Sequence, residues 1–549
     1  MLREPVLTGS AGATRTLFLA AFAALAGLLA GCGGGGGGGA ASAAPPSPLP
    51  NPGSQAGGWT SGVFLPSDSF VAECAAPRSG IDPSTTQPFP DVQGSVLSEN
   101  NWLRSWSNEL YLWYDEIPDR DPAPLTTSAY FEHLKTVRTT PSGRPVDRFH
   151  FTAPTAEWRA LSQSGVTAGY GVEWVFNALA PPRAARVLYT EPGSPAAGAN
   201  LMRGAELVRV DGVDFVNDNT QAGVDMLNAA LFPDALGETH AFEVRNLDGS
   251  MQSFQMQSAN VTIVPVPVAG TLDTPTGKVG YLLFNDHIAT AEQDLIVAVS
   301  SLETAGISDL VLDLRYNGGG YLTIASQLAY MIAGPSRTAG RTFEALRFNA
   351  KHPSTNPVTR EPLEPFPFLN VTAGLSTLPG VPLPTLDLPR VFVITGPNTC
   401  SASESIINSL QGIDVEVIQI GSTTCGKPYG FYPQDNCGTT YFSIQFQGVN
   451  AKDFGDYTDG FSPQNTQGPL GTPVPGCSVA DDYTRALGDV TEARLAAALA
   501  YRDNQTCPAP SGIGGPGPGF SKPGAPLSAA DGRMLRPPWR ENRILEHRP

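Results

Sequence analysis

One stretch decides how this 549-residue chain folds: Val391-Phe-Val-Ile-Thr395, then Gly396-Pro-Asn-Thr-Cys400, then Ser401-Ala402-Ser403-Glu404. The apolar residues predict a buried strand, and the last four residues open a helix. A strand–turn–helix junction of this kind presents one side chain beside the unpaired N–H groups and the positive dipole of the helix start. That arrangement suits a nucleophile, because those groups can stabilise a developing oxyanion. A serine there is also an ordinary helix N-cap, and the local sequence leaves both interpretations open.

Strands and helices alternate on both sides of this junction. The apolar patterns predict strands at Val279–Phe284, Leu310–Leu314 and Val415–Ile420, and helices at Ala291–Leu302 and Ser403–Leu410. Alternation of this kind predicts an α/β core with a mainly parallel sheet. A further strand, expected at Tyr441–Phe446, is a candidate for antiparallel pairing.

Two more motifs follow the predicted strands on either side of the junction. They are Asp313-Leu-Arg-Tyr-Asn317-Gly318-Gly319-Gly320 and Gly421-Ser-Thr-Thr-Cys425-Gly426-Lys427-Pro428. Together with the junction, and in this order, they resemble the S41 peptidases, the C-terminal processing proteases. That family shows Asp-Leu-Arg-x-Asn-Gly-Gly-Gly, Thr-x-Ser-Ala-Ser-Glu and Gly-x-x-Thr-x-Gly-Lys. The resemblance covers about residues 93–500 and implies a ClpP/crotonase-like α/β peptidase core at residues 263–507.

The resemblance assigns chemical roles by position. Ser401 would be the nucleophile and Lys427 its general base, which requires burial to lower the lysine pKa from about 10.4 toward neutrality. The oxyanion hole would consist of the backbone N–H of Ala402 and that of Gly318 or Gly319. Ser403 and Glu404 are expected to support the helix start rather than to catalyse. No cofactor is implied.

This sequence departs from the family pattern beside both catalytic positions. Many members have a Gln four residues after the Lys, where this chain has Phe431; Gln434 is a possible substitute, and a Ser–Lys dyad is the safer expectation. Cys400 and Cys425 flank the nucleophile and the base. Because both loops must converge for catalysis, we hypothesise a disulfide between these two cysteines. His287 follows a core strand and could lie near the cleft.

Other functions fit the motifs less well. G-x-S-x-G does not occur, which disfavours a Ser–His–Asp hydrolase, and Cys400 has no evident His or Asn partner as a nucleophile. Neither C-x-x-C nor H-E-x-x-H occurs, so no metal site is expected. The main alternative is a catalytically silent cell-surface lipoprotein that binds peptides. A core that binds a small apolar ligand is a third interpretation.

Residues 165–262 change to a pattern of short strands and turns. Tyr170–Trp174 alternates, Pro192-Gly-Ser-Pro-Ala-Ala-Gly-Ala199 predicts a turn and a short helix, and a strand ends at Asp211-Gly212. This order resembles a PDZ domain, although Asn200 and Ala205 depart from the usual residues. PDZ domains add an extended peptide end as a strand. The resemblance makes Gly169, Tyr170 and Gly171 the carboxylate-binding loop; a domain used only for packing or gating is the alternative.

The N-terminal region has the composition of an export signal. Basic residues precede the apolar run Leu17–Leu29, and residues 1–32 end in Leu-Ala-Gly-Cys, which resembles a bacterial lipoprotein signal with Cys32 as the lipidated residue. Gly33 in place of Asp favours the outer over the inner membrane. Residues 33–92 are expected to form a Gly/Pro-rich tether, residues 93–160 a small helical module with its second helical stretch near Tyr130–Val137, and residues 508–549 a disordered tail.

Charge and cysteine content limit the partners and the compartment. The chain has 51 acidic and 34 basic residues and a formal net charge of −17, which makes nucleic acid an improbable partner. Polypeptides, bound through their C-termini, and a membrane reached by the lipid anchor are the expected partners. Six of the seven cysteines remain once Cys32 is set aside, so up to three disulfides are expected in an oxidising cell envelope.

Overall fold

The structure is a computed structural model that describes residues 59–233, 235–468 and 471–510, together with the backbone of residues 543–544. The predicted signal, Cys32, residues 33–58 of the predicted tether and most of the predicted tail lie outside the described residues. Within the described part of the chain, no helix is long and apolar enough to span a membrane.

The described chain up to residue 164 is mainly helical. Its elements are β1 (Glu73–Cys74), β2 (Val92–Gln93), α1 (Val96–Leu110), α2 (Thr127–Glu132), β3 (Phe151–Pro154) and α3 (Thr155–Ser164), and two 3-10 turns (Ser67–Ser69, Tyr114–Glu116). Helix α1 starts where the Ser95 hydroxyl accepts a hydrogen bond from the Ser98 N–H. It buries Trp102 and Trp106, whose rings stack 5.3 Å apart, against Tyr441. These aromatic side chains are core residues.

Helix α2 begins and ends earlier than the sequence pattern suggests. We expected a helical stretch near Tyr130–Val137, whereas α2 covers Thr127–Glu132. The cause is a strong N-cap, because the Thr126 hydroxyl accepts a hydrogen bond from the Ala129 N–H. The apolar spacing marked the buried face but not the start of the helix.

Residues 166–262, the β-rich region, fold around a hydrophobic core of their own. Their elements are β4 (Val166–Gly169), β5 (Val172–Ala178), β6 (Ala184–Thr190), α4 (Pro195–Gly198), β7 (Glu206–Val210), β8 (Val213–Asp214), α5 (Gln221–Leu231), β9 (Thr239–Arg245), β10 (Met251–Gln257) and β11 (Ala259–Thr262). Five strands form an antiparallel sheet in the order β10-β9-β7-β6-β5, and β8 pairs with β7. Strands β4 and β11 form a separate antiparallel pair. The assignment of this part as a PDZ domain stays a prediction.

The remaining described residues form the α/β core. Its elements are β12 (Val268–Thr274), β13 (Gly277–Leu283), α6 (Ala291–Ala305), β14 (Asp309–Asp313), β15 (Gly320–Tyr321), α7 (Leu322–Ala333), α8 (Pro335–Thr338), β16 (Thr342–Phe348), β17 (Phe366–Pro367), β18 (Arg390–Thr395), α9 (Ala402–Gly412), β19 (Glu416–Gly421), β20 (Tyr429–Gly430), β21 (Gln434–Asn436), β22 (Thr439–Phe442), β23 (Phe446–Val449), β24 (Phe461–Pro463), β25 (Thr472–Val474), β26 (Gly476–Ser478), α10 (Ala493–Asn504) and β27 (Arg543–Ile544).

The central sheet has the strand order β12-β13-β14-β18-β19-β26. Strand β12 is antiparallel to β13, and the other neighbouring pairs are parallel. Alternate side chains of β14 serve opposite faces: Leu310 and Leu312 pack on the side of α6, α7 and α9, and Val311 on the side of α10. Because both faces are covered, the strands are continuously apolar. The predicted mixed α/β fold with a mainly parallel sheet is confirmed.

A smaller sheet joins the helical region to the core. Strand β3 pairs with β22, which also pairs with β21, and all the pairs are antiparallel. The chain breaks the strand predicted at Tyr441–Phe446 into β22 and β23, which belong to different sheets. A disulfide between Cys74 and Cys437 fastens the same two regions together. Residues just before β3 are thereby held against the core.

Candidate active site

The candidate site lies where several parallel strands end. The carboxyl ends of β13, β14, β18 and β19 lie side by side in the central sheet, and each predicted motif follows one of the last three. In open α/β sheets this edge is the usual place for a ligand site, because the loops after neighbouring strands converge there. The fold therefore brings the three motifs to one place.

Ser401 occupies a strained position between β18 and α9. Its backbone dihedrals are φ 58° and ψ −115°, a region that residues with a side chain rarely adopt. Such a conformation costs about 1–3 kcal/mol and persists only where the surroundings impose it. Here the Cys400 N–H donates to the Asn317 carbonyl at 3.1 Å, and the Ser401 N–H donates to Glu404 Oε2 at 3.0 Å.

The Ser401 hydroxyl is unusual for a buried group. The side chain is fully buried, and its Oγ makes no hydrogen bond with any described residue. Ser401 therefore does not cap α9 through its side chain. Instead, the Glu404 carboxylate accepts a hydrogen bond from the Ser401 N–H and so stabilises the start of the helix. A buried hydroxyl without a hydrogen-bond partner among the described residues, on a strained turn, is not explained by a structural role.

Glu404 joins the nucleophile loop to the base loop. Its Oε2 accepts from the Ser401 N–H at 3.0 Å and from the Lys427 N–H at 2.8 Å, so the two backbone nitrogens share one oxygen. Its Oε1 accepts from the Gly426 N–H at 2.8 Å and from the Thr424 hydroxyl at 2.5 Å. Burial raises the pKa of the Glu404 carboxyl, although these donors oppose the rise. We expected a supporting role at the helix start; the connection to the base loop was not foreseen.

The disulfide hypothesised between Cys400 and Cys425 is present in the structure. The two Cα atoms are 5.1 Å apart, and the Cys425 N–H donates to the Thr399 carbonyl at 3.0 Å. This bond fastens the residue before the nucleophile to the loop that carries Lys427. Within the described residues, the one cluster of metal-ligand types is Cys400, Glu404 and Cys425, and both of its sulfur atoms are used in this bond.

Lys427 points into an aromatic environment. Its side chain is fully buried, and Nζ lies 4.4 Å from the centre of the Phe431 ring and 4.8 Å from that of Phe149. Phe431 thus occupies the neighbourhood where a Gln was expected from the family pattern. Gln434 lies in β21 opposite Tyr441. Phe149 was not predicted, because no local motif marks it.

Asn317 organises the loop of the proposed oxyanion hole. Its Oδ1 accepts from the Gly319 N–H at 2.9 Å, and its Nδ2 donates to the Phe284 carbonyl at 2.9 Å. Since the Gly319 N–H is engaged, Gly318 is the better of the two candidates to face a substrate oxygen. Ala402 is the first residue of α9, so its N–H has no acceptor within the helix. The roles of Ala402, Gly318 and Gly319 stay predictions.

His287 lies directly behind this loop. Its Nδ1 is 2.8 Å from Asn317 Oδ1, and the Tyr321 N–H donates to its carbonyl at 2.8 Å. Burial lowers the pKa of His287 to about 3, although the hydrogen bond to Asn317 opposes this, so the ring is neutral at ordinary pH. Gly320 is required here, because a Cβ on its backbone would lie 2.5 Å from the His287 carbonyl oxygen.

A buried ion-pair network ties the same loop to the β-rich region. Arg315 pairs with Asp313, Asp481 and Glu492 at 2.8–2.9 Å. Arg203, from the β-rich region, donates to the Tyr316 hydroxyl at 2.7 Å and to Asp481 at 2.9 Å. The residues that precede the oxyanion glycines therefore contact both the core and the β-rich region.

The predicted carboxylate-binding loop borders a cavity. Gly169, Tyr170 and Gly171 line a cavity of about 530 Å³ together with apolar side chains that include Trp174 and Phe232. Gly171 has φ 71°, and a Cβ there would lie 2.3 Å from that of Ser194, so the close approach of the two segments needs glycine. The Tyr170 ring is buried and packs edge-to-face on Phe242. Its peptide-binding role stays a prediction.

Two curated plant and cyanobacterial proteins match part of the chain. A carboxyl-terminal-processing protease of Picosynechococcus sp. is 30% identical over 179 residues, which are 32% of this chain and 41% of that protein. Carboxyl-terminal-processing peptidase 3, chloroplastic, of Arabidopsis thaliana is 25% identical over 148 residues, which are 25% of this chain and 28% of that protein. The matches thus span less than half of either relative.

A solved structure and a family model complete the comparison. A Bacteroides fragilis protein assigned to the S41 proteases superposes with a TM-score of 0.53 at 23% identity, covering 76% of this chain and 98% of that protein, which indicates a shared fold. Residues 278–430 match the model of peptidase family S41. The resemblance drawn from the three motifs is therefore confirmed, because residues 278–430, which match peptidase family S41, contain all three.

Proposed function

We propose that the protein is a serine endopeptidase that hydrolyses peptide bonds in exported polypeptides through an acyl-enzyme on Ser401. Lys427 is the general base, and the backbone N–H groups of Ala402 and Gly318 form the oxyanion hole. The two curated relatives carry the name carboxyl-terminal-processing, and polypeptide C-termini are accordingly the proposed substrates.

The chemistry follows from these roles. Lys427 Nζ takes the proton of the Ser401 hydroxyl while Oγ forms a bond to the scissile carbonyl carbon, and the carbonyl oxygen becomes an oxyanion held by the two N–H groups. The C–N bond then breaks, and the proton passes from Lys427 to the leaving amine. Water then loses a proton to Lys427 Nζ and attacks the ester carbonyl carbon. The bond from that carbon to Ser401 Oγ breaks, the Lys427 ammonium returns the proton to Oγ, and the acid product leaves.

One observation carries this proposal: the Glu404 oxygen shared by the backbones of Ser401 and Lys427. A serine that only caps a helix needs neither a strained backbone nor a carboxylate that also binds the backbone of a lysine on another loop. The carboxylate, the neighbouring disulfide and the turn at Ser401 all hold the same two residues in one arrangement. Pre-organisation of this kind is what a nucleophile–base pair requires.

We further propose that the PDZ-like region recruits a substrate C-terminus or gates the site. Support comes from the cavity beside Gly169–Gly171 and from the hydrogen bonds of Arg203 to Tyr316 and Asp481. A shift of the β-rich region would strain the loop that carries Gly318. Lipidation at Cys32 and attachment to the outer membrane of a bacterial cell envelope complete the proposal, supported by the signal-like sequence of residues 1–32.

A catalytically silent peptide-binding lipoprotein is the rival function. The replacement of the expected Gln by Phe431 is the feature that favours it. The presence of Ser401 and Lys427, joined through Glu404, opposes it, because a binding protein has no need to bury and align this pair.

The test is cleavage of a reduced, alkylated, unfolded protein by the full-length chain. Ser401→Ala and Lys427→Ala should each lower kcat/KM by about 10⁴-fold or more. The matched controls Ser409→Ala, a buried serine further along α9, and Lys452→Ala, an exposed lysine, should retain activity. Equal cleavage by wild type and both catalytic variants would overturn the proposal. A substrate with an amidated C-terminus should show a higher KM; an unchanged KM would contradict recruitment by the PDZ-like region.

A further inference from the structure

The surroundings of Lys427 Nζ contain two aromatic rings from separate segments. Phe431 follows the base along the chain, and Phe149 comes from the segment just before β3, in the helical region. Both rings are buried: Phe431 is fully covered and Phe149 is 3% exposed. Phe431 is held by Phe442 at 5.3 Å and by Phe151 at 6.2 Å, which fixes its plane against the lysine.

We propose that Phe149 and Phe431 are positioning residues for the general base, which hold Lys427 Nζ and stabilise the ammonium that it becomes on taking the proton of Ser401. This inference rests on the proposed function. Two ring faces would here orient the lysine amine, as a Gln side chain does in the family pattern.

The physical basis is the selectivity of a ring face for charge. The face of a phenyl ring carries negative potential and attracts a cation within about 6 Å, by about 0.5–2 kcal/mol depending on burial. The neutral amine gains far less. Since Lys427 is neutral before proton transfer and cationic afterwards, the rings stabilise the transition state more than the ground state, and such a difference raises kcat.

Charged groups beside the base loop also act on the ammonium of Lys427. On the segment before β3, Arg144 and Arg148 donate to the carbonyls of the base loop, and Arg144 also pairs with Asp459. The Glu404 carboxylate on α9 is engaged by backbone N–H groups of the two loops. Tyr429, two residues after the base, has Asp147, Asp456 and Arg138 in its own surroundings. Charges of both signs therefore lie beside the base loop, and the two rings, 4.4 and 4.8 Å from Nζ, add an attraction for the ammonium.

The contribution of Phe149 gives the helical region a role in catalysis. Strand β3 pairs with β22, which places the residues before β3 over the base loop. Phe149 also lies beneath the Arg148 guanidinium, whose Cζ is 4.6 Å from the ring centre. The base environment is thus completed by a segment outside the residues that match the family model.

The test is the pH dependence of kcat/KM for Phe431→Leu and Phe149→Leu in the full-length protein. Leucine keeps an apolar side chain but removes the ring face. Each change should lower the plateau of kcat/KM by about 3- to 30-fold and should shift the acid limb to lower pH by about 0.5–1 unit, because the ammonium loses stabilisation. A purely structural role would lower the plateau without moving the limb.

Matched variants separate the possible results. Phe442→Leu, which removes a ring that touches Phe431 but not Lys427, should leave the acid limb in place, and Phe431→Tyr, which keeps the ring face, should restore it. If Phe431→Leu does not fold, the position of the acid limb of the kcat/KM profile in Phe149→Leu decides whether the inference stands. The inference would be overturned if the acid limb of the kcat/KM profile did not move in the leucine variants at Phe149 and Phe431, or if it moved equally in Phe442→Leu. Cleavage by wild type would in that case still uphold the proposed function. Wild-type cleavage that survives Lys427→Ala would instead overturn the proposed function.

Discussion

Ser401, the proposed nucleophile, and Lys427, the proposed base, are both fully buried and both follow parallel strands, yet they are held in different ways. Ser401 is positioned through backbone hydrogen bonds: its own N–H donates to Glu404, three residues on, and the Cys400 N–H donates to the Asn317 carbonyl of another loop. The amine of Lys427 is surrounded by rings, one of which belongs to a distant segment. Backbone hydrogen bonds therefore hold Ser401, whereas the packing of side-chain rings forms the environment of the Lys427 amine.

The Glu404 carboxylate accepts hydrogen bonds from the backbones of both Ser401 and Lys427. Its removal should therefore have the largest effect of the changes considered below. Glu404→Ala leaves the N–H groups of Ser401, Gly426 and Lys427 buried without an acceptor, which costs about 1–3 kcal/mol for each. Small displacements of the two loops should lower kcat/KM by about 100-fold. Urea unfolding and steady-state kinetics measure the two effects.

Glu404→Gln is the matched variant, because it keeps one carbonyl acceptor and the side-chain volume. Its losses in stability and activity should be smaller than those of Glu404→Ala. Wild-type activity in Glu404→Ala would show that the carboxylate does not position the pair.

The disulfide between Cys400 and Cys425 is a second link between the loops of Ser401 and Lys427. Loss of Cys400–Cys425 by substitution of both residues with Ser should lower stability by about 3 kcal/mol and should lower kcat/KM by about tenfold, since the two loops lose their covalent link. The bond between Cys477 and Cys507 closes a chain segment of similar length, with sequence separations of 30 and 25 residues for the two bonds.

Removal of Cys477–Cys507 is therefore the control. It should cost comparable stability in urea unfolding but leave kcat/KM near the wild-type value. If both double variants lost activity equally, the link between the loops would have no specific role.

Each side of the site contains one buried histidine, and these predict the pH dependence of stability. Burial lowers the pKa of His287, behind the oxyanion loop, to about 3 and that of His150, stacked on Phe131, to about 4, against 6.5 for an exposed ring. Below pH 6.5 the unfolded chain binds protons that the folded chain does not. The stability contributed by each neutral ring is therefore complete above that pH and is lost as the pH falls, by about 2 kcal/mol between pH 7 and 5.

Urea unfolding at these two pH values measures the effect. His150→Gln and His287→Gln should each reduce the loss of stability between pH 7 and 5 by about 2 kcal/mol relative to wild type. The same pH dependence in all three proteins would mean that the rings are not buried in the neutral form.

The comparison also explains what could be predicted from the sequence. The parallel sheet, the strand–turn–helix junction and Ser401 follow from apolar runs and motif order, because they depend on residues close together in the chain. The Cys400–Cys425 bond could be hypothesised because the family resemblance required the two loops to meet.

Other features depend on distance in space and left no local signal. Phe149 reaches Lys427 only because β3 pairs with β22, and no pattern near residue 149 indicates this contact. Glu404 looked like a helix-start residue, since its second function depends on a loop that follows another strand. The start of α2 was misplaced because a Thr126 cap outweighed the apolar spacing.

The central claim is that Ser401 forms an acyl-enzyme with the help of Lys427, and direct trapping of that intermediate tests it best. The full-length protein is mixed with an activated ester substrate, quenched in acid within milliseconds and digested, and the fragments are analysed by mass spectrometry. We expect one acyl group on the fragment containing Ser401 and none in Ser401→Ala. The acyl-enzyme should form at least about 100-fold more slowly in Lys427→Ala. An acyl group on another residue, or equal rates in wild type and Lys427→Ala, would contradict it.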